Sequence, residues 1–222
     1  MKINKPTISY AIPVWNEHVE LSRLLAQLFD QIDETDEVVV QGDQGKVTSE
    51  VISVLHPYKR DKRFQYIEYP LKRDFSAFKN NLFKNCTKDY IFQIDADEQL
   101  SDFLLFNVKA IIQDNEVECI SIPRKNIVYD ITSEYAQTQG WNLIEVNGEI
   151  INNFPDRQLR LFKNHIGIHL QSNVHEQLVG MKNIAHMPHL DENGNLNFDW
   201  CILHYKTLER QVKQNNFYNT FQ

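Results

Sequence analysis

Glycine and cysteine are scarce in this chain, and each shortage argues against something. Only 7 glycines occur in 222 residues. No G-x-G-x-x-G follows a strand, so the phosphate loop of a dinucleotide oxidoreductase is missing. The 3 cysteines, Cys86, Cys119 and Cys201, lie far apart and form no C-x-x-C. An odd, scattered count argues against a disulfide framework and fits a reducing, cytoplasmic setting, with the thiols as small core residues. A basic excess is lacking too. Lys and Arg number 23 against 30 Asp and Glu, a formal net charge of −7. Such a surface repels a phosphate backbone, so nucleic acid is not an expected partner. No apolar run approaches the ~18 residues that a membrane helix needs. The opening "MKINKPTISYAIPVWNE" has no signal-peptide core. A soluble protein is expected, with contact to a membrane surface left open and no oligomeric state indicated.

What is present is apolar bulk in an alternating pattern. The chain is 42% hydrophobic with 13 Phe and 9 Tyr, enough to fill one α/β domain over residues 1–222. "TISYAIPV" reads as a strand. Asn16 then stands at a helix N-cap, followed by Leu21, Leu24, Leu25, Leu28, Phe29 and Ile32 at helical spacing. Val38–Val40 reads as a second strand, and Val47–Leu55 as a helix stopping before Pro57. "RFQYIEYP" is a third strand, Phe75–Cys86 a third helical face and Tyr90–Ile94 a fourth strand. Strands alternating with helices predict a mostly parallel sheet with both faces covered, its ligands beyond the carboxyl ends of the strands. That rule points to Pro13–Glu17, Gly42–Lys46, Lys72–Ser76 and Asp95–Glu98.

The second half is less regular. Cys119–Ile122, "RQLRLF" and "IGIHLQSNVHEQLVG" read as strands of a mixed sheet. Residues 124–154 read as a long polar excursion over the acceptor side. "TLERQVKQNNFYNTF" reads as a helix with Leu208, Val212 and Phe217 inward. Residues 1–100 would then form the donor half and 101–222 the acceptor half.

"IDADE" raises the sharpest question, because three carboxylates in four residues repel one another. One answer is capping of the next helix, which Ser101-Asp102 could also do. The other is a divalent cation, Mg²⁺ or Mn²⁺, with phosphate oxygens completing its shell. Such an ion would stabilise charge on a departing diphosphate.

Five segments in order, "IPVWNE", "DFSAFKNNL", "IDADE", "PDRQLRLFKN" and "NVHEQL", resemble family 2 glycosyltransferases of the GT-A fold. Within that family they are most similar to the small bacterial lipopolysaccharide-core enzymes. The resemblance spans residues 8–205. It implies inverting transfer of a sugar from a nucleotide-diphosphate sugar, by default a UDP-sugar, to a hydroxyl of a glycan or glycolipid. It implies that Pro13, Trp15 and Glu17 line the nucleoside pocket and that Asp43 accepts a hydrogen bond from the base. Lys79 would lie near the nucleotide or diphosphate, Asp95 would face the ribose or metal, and Asp97 would be the principal metal ligand.

Two departures stand out. "GDQGK" replaces the usual D-D-G-S, and Lys79 replaces Arg, losing bidentate phosphate geometry. The Q-x-x-R-W of processive synthases is absent.

Inverting displacement needs a proton acceptor. Glu176 is the first candidate, with His175 beside it and Asp156 a weaker rival; on a strand only one of the adjacent pair would face the sugar. His204 could return to the metal or serve the fold. Arg157 and Arg160 could hold diphosphate or an anionic acceptor, or form ordinary ion pairs. "HMPH", His186 and His189, lacks the cysteines of a zinc site. The competing readings are a sugar nucleotidyltransferase, disfavoured because "PVWNE" has no glycine, and a catalytically degenerate GT-A-like binding module.

Overall fold

The structure, a computed structural model, describes residues 5–114 and 117–219. Alternating β and α elements open the chain as the apolar spacing predicts. They are β1 (Ile8–Val14), α1 (His18–Gln31), β2 (Glu37–Asp43), α2 (Ser49–Leu55), β3 (Phe64–Tyr69), α3 (Phe75–Lys84) and β4 (Tyr90–Gln93). α2 ends at Leu55, before Pro57 as expected, and the chain carries on. It tightens into a 3-10 turn, His56–Arg60, which tolerates proline near its start, where an amide proton is not needed. Asn16 is not the cap of α1. Glu17 holds that position, and its carboxylate turns back to accept the backbone N–H groups of Trp15 (2.9 Å) and Asn16 (3.0 Å).

Next come β5 (Glu98–Leu100), α4 (Asp102–Asp114), β6 (Cys119–Tyr129), α5 (Ser133–Thr138), β7 (Leu143–Val146) and β8 (Glu149–Lys163). The chain ends in β9 (His169–Gln171), β10 (Gln177–Val179), β11 (Ile184–His186), β12 (Ile202–Thr207) and α6 (Leu208–Asn219). The order in the large sheet is β3-β2-β1-β4-β8-β6-β12-β5, with β11 added beside β6 and β7 beside β8. β3, β2, β1 and β4 run parallel. β8 is antiparallel to both β4 and β6, and β12 is parallel to β6 but antiparallel to β5.

Residues 124–154 are therefore not a loose excursion. β6 runs on to Tyr129 and returns through β7 and β8. Its polar residues fooled the periodicity because they are buried with partners. "IGIHLQSNVHEQLVG" is not one strand either. β9 and β10 form a small hairpin, and His175 and Glu176 lie in its turn, His175 with φ 56°. Leu208 and Val212 are half-buried on α6; the side chain of Phe217 lies outside the described residues.

The side-chain period of two splits the strands between two cores. Tyr10, Ile12, Val38, Val40 and Phe92 meet α1, α2 and α4 on one face. Ala11, Val39, Ile91 and Phe162 meet Leu82 and Phe83 of α3, Cys86 just after it, and Leu170 of β9, on the other. All three cysteines are buried and unpaired. Among the described residues no helix is long and apolar enough to cross a membrane.

Candidate active site

The carboxyl ends of β1, β2 and β4 carry three of the four stretches singled out from sequence. Trp15 stands half-exposed after β1, in the turn that Glu17 pins. Asp43 ends β2 with 6% of its surface exposed. Its Oδ1 accepts the Leu71 backbone N–H at 2.9 Å, and its Oδ2 lies 3.2 Å from the exposed Lys46 ammonium. Asp43 thus ties the β2–α2 loop to the β3–α3 loop. Gly42 makes this corner possible, since a Cβ there would fall 2.3 Å from Val47 Cγ2 and 2.7 Å from the Tyr66 hydroxyl.

At the start of α3 the Asp74 carboxylate accepts the Ala77 N–H, capping the helix. Three consecutive side chains then go three ways. Lys79 points to the carboxylates, 3.0 Å from Glu176 and 3.7 Å from Asp95. Asn80 bonds both ways with the Leu170 backbone at 2.8 Å, and Asn81 donates to Gln41 at 2.7 Å. Asn80 therefore clamps the β9–β10 hairpin onto α3, assisted by the Phe75 N–H donating to the Asn173 carbonyl. That clamp delivers Glu176 to the site. His175 is exposed in the same turn.

The question posed by "IDADE" has a structural answer that neither sequence reading supplied. Glu98 is fully buried and is no surface cap. Its Oε1 lies 2.9 Å from Arg124 and 3.0 Å from Arg160, while its Oε2 accepts the Asp95 N–H at 2.9 Å. Arg160 also pairs with Asp95 Oδ2 at 2.6 Å and donates to Gln93. Burial alone would raise the Asp95 carboxyl, but the Arg160 and Lys79 charges hold it well below the usual carboxylate range. Burial likewise opposes the Arg160 charge, and Asp95 and Glu98 reverse that and raise its pKa. Arg160 was a candidate for diphosphate; the structure spends it inside the fold. Arg157 donates instead to the Met187 carbonyl and contacts His189, so neither belongs to the site, and among the described residues no cluster of three metal-ligating side chains forms, at "HMPH" or elsewhere. Asp156 is no free base. Its Oδ2 receives Arg124 and Asn126, and its Oδ1 receives Gln158.

Asp97 sits apart from that ion network. Its Oδ2 lies 3.3 Å from His204 Nε2 and 3.6 Å from Arg210. Burial pushes its carboxyl up, but the hydrogen bond and charge of His204 outweigh this and hold it at about 2. His204 arrives on β12 directly opposite Glu98. Its orientation is set from behind: Asn126 donates its amide to Asp156 at 2.8 Å, so its Oδ1 faces His204 Nδ1 at 2.8 Å and takes a proton from it. Nε2 then faces Asp97, where a proton on it completes the hydrogen bond and a bound cation would take that proton's place. Two further cations border the pair. Arg210 of α6 also reaches Glu17 (3.9 Å) and Glu20. Lys206, two residues beyond His204, is nearly buried, and burial lowers its pKa to about 8.

A divalent cation fits this pair. One carboxylate and one imidazole converge, the imidazole carries a second-sphere Asn–Asp support, and hard cations take phosphate and water oxygens for the rest of their shell. Asp95, by contrast, has both oxygens engaged by Arg160, Lys79 and Gln93. Arg124 and Asn126 are the neighbours that sequence reasoning missed; Glu98 and Asp156 were named, but as a cation's carboxylate and a possible base rather than as anchors of this network.

Comparison with known proteins is consistent with this geometry. The family model described as glycosyl transferase family 2 matches residues 9–173. Among curated protein sequences none matches. Among solved structures, S. aureus TarS 1–349 superposes with a TM-score of 0.60 at 13% identity, covering 94% of this chain and 62% of that one. The same TarS fragment in complex with UDP-GlcNAc gives a TM-score of 0.62 at 14% identity, covering 90% and 58%. The chain thus spans about three fifths of the length of those TarS fragments. The likeness shows the GT-A fold.

Proposed function

The chain belongs to glycosyl transferase family 2, and from that premise we propose that it moves a hexosyl group from a nucleotide-diphosphate sugar to a hydroxyl of a glycan or glycolipid acceptor, with inversion. The observation that carries this reading is the convergence of Asp97 and the back-oriented His204 at the carboxyl edge of the sheet, beside the loops of β1 and β2. Ligands of open α/β sheets bind there. UDP is the first nucleotide to test, because the TarS relative has been solved with UDP-GlcNAc. The likeness of the motifs to lipopolysaccharide-core enzymes supports a saccharide acceptor.

Trp15 offers an exposed aromatic face to the base or ribose, and Pro13, Glu17 and Asp43 shape the surrounding turns. Asp97 and His204 would hold Mn²⁺ or Mg²⁺, which when bound supplies positive charge for the departing diphosphate. Asp95, fixed by Arg160, borders the ribose. The acceptor oxygen attacks the anomeric carbon as the bond to the diphosphate breaks, and Glu176 takes the hydroxyl proton. Lys79 lies 3.0 Å from Glu176 and 3.7 Å from Asp95, between the two carboxylates. Direct displacement by one base-activated hydroxyl inverts the centre.

The test is thermal stability with UDP, GDP, CDP and dTDP, each with and without Mn²⁺, on wild type and Asp97→Asn. A nucleotide at ~100 times its dissociation constant stabilises by about 2.7 kcal/mol. A Mn²⁺-dependent gain with one nucleotide, lost in Asp97→Asn, is the expected result. No gain with any nucleotide from a folded sample would replace this reading with the degenerate binding module.

A further inference from the structure

Lys206 is a cation kept inside the protein with no carboxylate in ion-pair contact among the described residues. It is 9% exposed, and its Nζ donates to the neutral Gln214 side-chain oxygen at 3.0 Å. Among the described residues no Asp or Glu forms an ion pair with it, whereas Lys79, Arg124, Arg160 and Arg210 each hold at least two carboxylates. An ammonium has three donors, so two of its protons are left over. Burying a cation in this way is costly, and folds avoid it unless the charge has a use.

Its place in the sheet says what that use is. Lys206 follows His204 by two residues on β12, so the two side chains share one face. The antiparallel register sets Ile202 opposite Leu100 and His204 opposite Glu98. Continued by two residues, it carries Lys206 past the end of β5, level with the Asp95–Asp97 turn. The surplus donors therefore stand beside the Asp97–His204 pair, and the Asp97 charge acts on them.

We infer that Lys206 is a direct ligand of the donor's diphosphate, supplying fixed positive charge to the leaving group separately from any metal ion. This rests on the nucleotide-sugar reading of the same site and assigns to it a residue that no motif marks. A point-charge lysine suits this task, since it needs no bidentate geometry to hold a phosphate oxygen. Because the charge is built into β12, anion binding does not fall to zero when the metal is removed.

The experiment is calorimetric titration of wild type, Lys206→Met and Lys206→Arg with UDP and with uridine, in Mn²⁺ and again in EDTA. If another nucleotide is the one that binds wild type, its diphosphate and nucleoside take their place. Lys206→Met should weaken nucleoside diphosphate about tenfold or more in both conditions, with uridine unchanged and Lys206→Arg restoring most of the loss. The free Lys206→Met protein should also melt no lower than wild type, because an unpaired buried charge has been removed. Lys206→Met binding the diphosphate as wild type does would overturn the role of Lys206 and leave the donor reading standing. Failure of every nucleoside diphosphate to bind folded wild type would overturn both. Should Lys206→Met fail to fold, Lys206→Gln in the same titration decides the matter, with a retained affinity counting against the proposal.

Discussion

β1, β2 and β4 bury Tyr10, Ile12, Val38, Val40 and Phe92 beside the neutral Ser9, Gln41 and Gln93 and the carboxylate of Asp43; β6, β8 and β12 bury the cations Arg160 and Lys206 with Asn126 and His204, as well as Ile122, Leu161 and Ile202. The parallel part is cemented mainly by apolar contact, which is non-directional and tolerant of small changes of shape. The mixed part is cemented in addition by charges with stated partners and distances. The first kind of packing can place a backbone. The second can also fix where a carboxylate or imidazole points. The loops proposed for the nucleoside grow from the first part. The groups proposed for metal and phosphate hang on the second, where His204 traces back through Asn126 to Asp156 and Arg124, and Lys206 rests on Gln214 of α6.

The sharpest way to break this contrast is Arg160→Met. Removing one partner strands Glu98 and Asp95 in the interior and should cost about 3–5 kcal/mol in urea unfolding. The double variant Arg160→Met/Glu98→Gln should recover part of that loss. A single-variant cost below 1 kcal/mol would mean the ion network is ornamental.

Acid acts next. The Asp97 carboxyl is held at about 2 in the fold, below its unfolded value of about 4, so its stabilisation is present above pH ~4 and is lost as pH falls toward 2; the difference amounts to roughly 2 kcal/mol. In EDTA, Asp97→Asn should flatten that part of the stability profile. An unchanged slope would contradict the Asp97–His204 contact.

Asn126→Ala loosens His204 without touching a ligand and should weaken Mn²⁺ binding about 10–100-fold, read by competition with a fluorescent chelator. Equal affinity would show that His204 needs no orientation or does not bind the ion.

The smallest effect belongs to the apolar part. Ile12→Val should cost about 0.5–1.5 kcal/mol and leave nucleotide affinity as it was. A loss of affinity there would erase the distinction between the two kinds of packing.

The same contrast explains what was legible in the sequence. Through Gln93 the elements follow the apolar period, and the cap of α1 differs. Beyond Cys119 the strands carry Arg124, Asn126 and Arg160 inside. Polar residues in a strand look like loop until their partners are known, and those partners lie 26 to 78 residues away. Asp97, Glu176 and Lys79 were readable as candidates from motif order and His204 from its place between an apolar run and the last helix, and the structure brings Lys79 together with Asp95 and Glu176, and Asp97 together with His204. It also withdraws Asp156, Arg157 and Arg160 from the chemistry. Asn126 left no sequence signal, because an asparagine in a polar stretch does not announce which histidine it will hold.

β12, the last strand in chain order, is an interior strand, inserted between β6 and β5. During synthesis the edges of β6 and β5 therefore wait, unpaired, for residues 202–207. Until those residues emerge, the nascent chain holds Asp97 without His204 and exposes two strand edges at which another chain could pair. The closing step joins residues far apart in sequence, which makes it slow relative to local folding. A chain interrupted before residue 202 would be inert toward donor and prone to aggregate, and activity would appear only with the strand that seals the sheet.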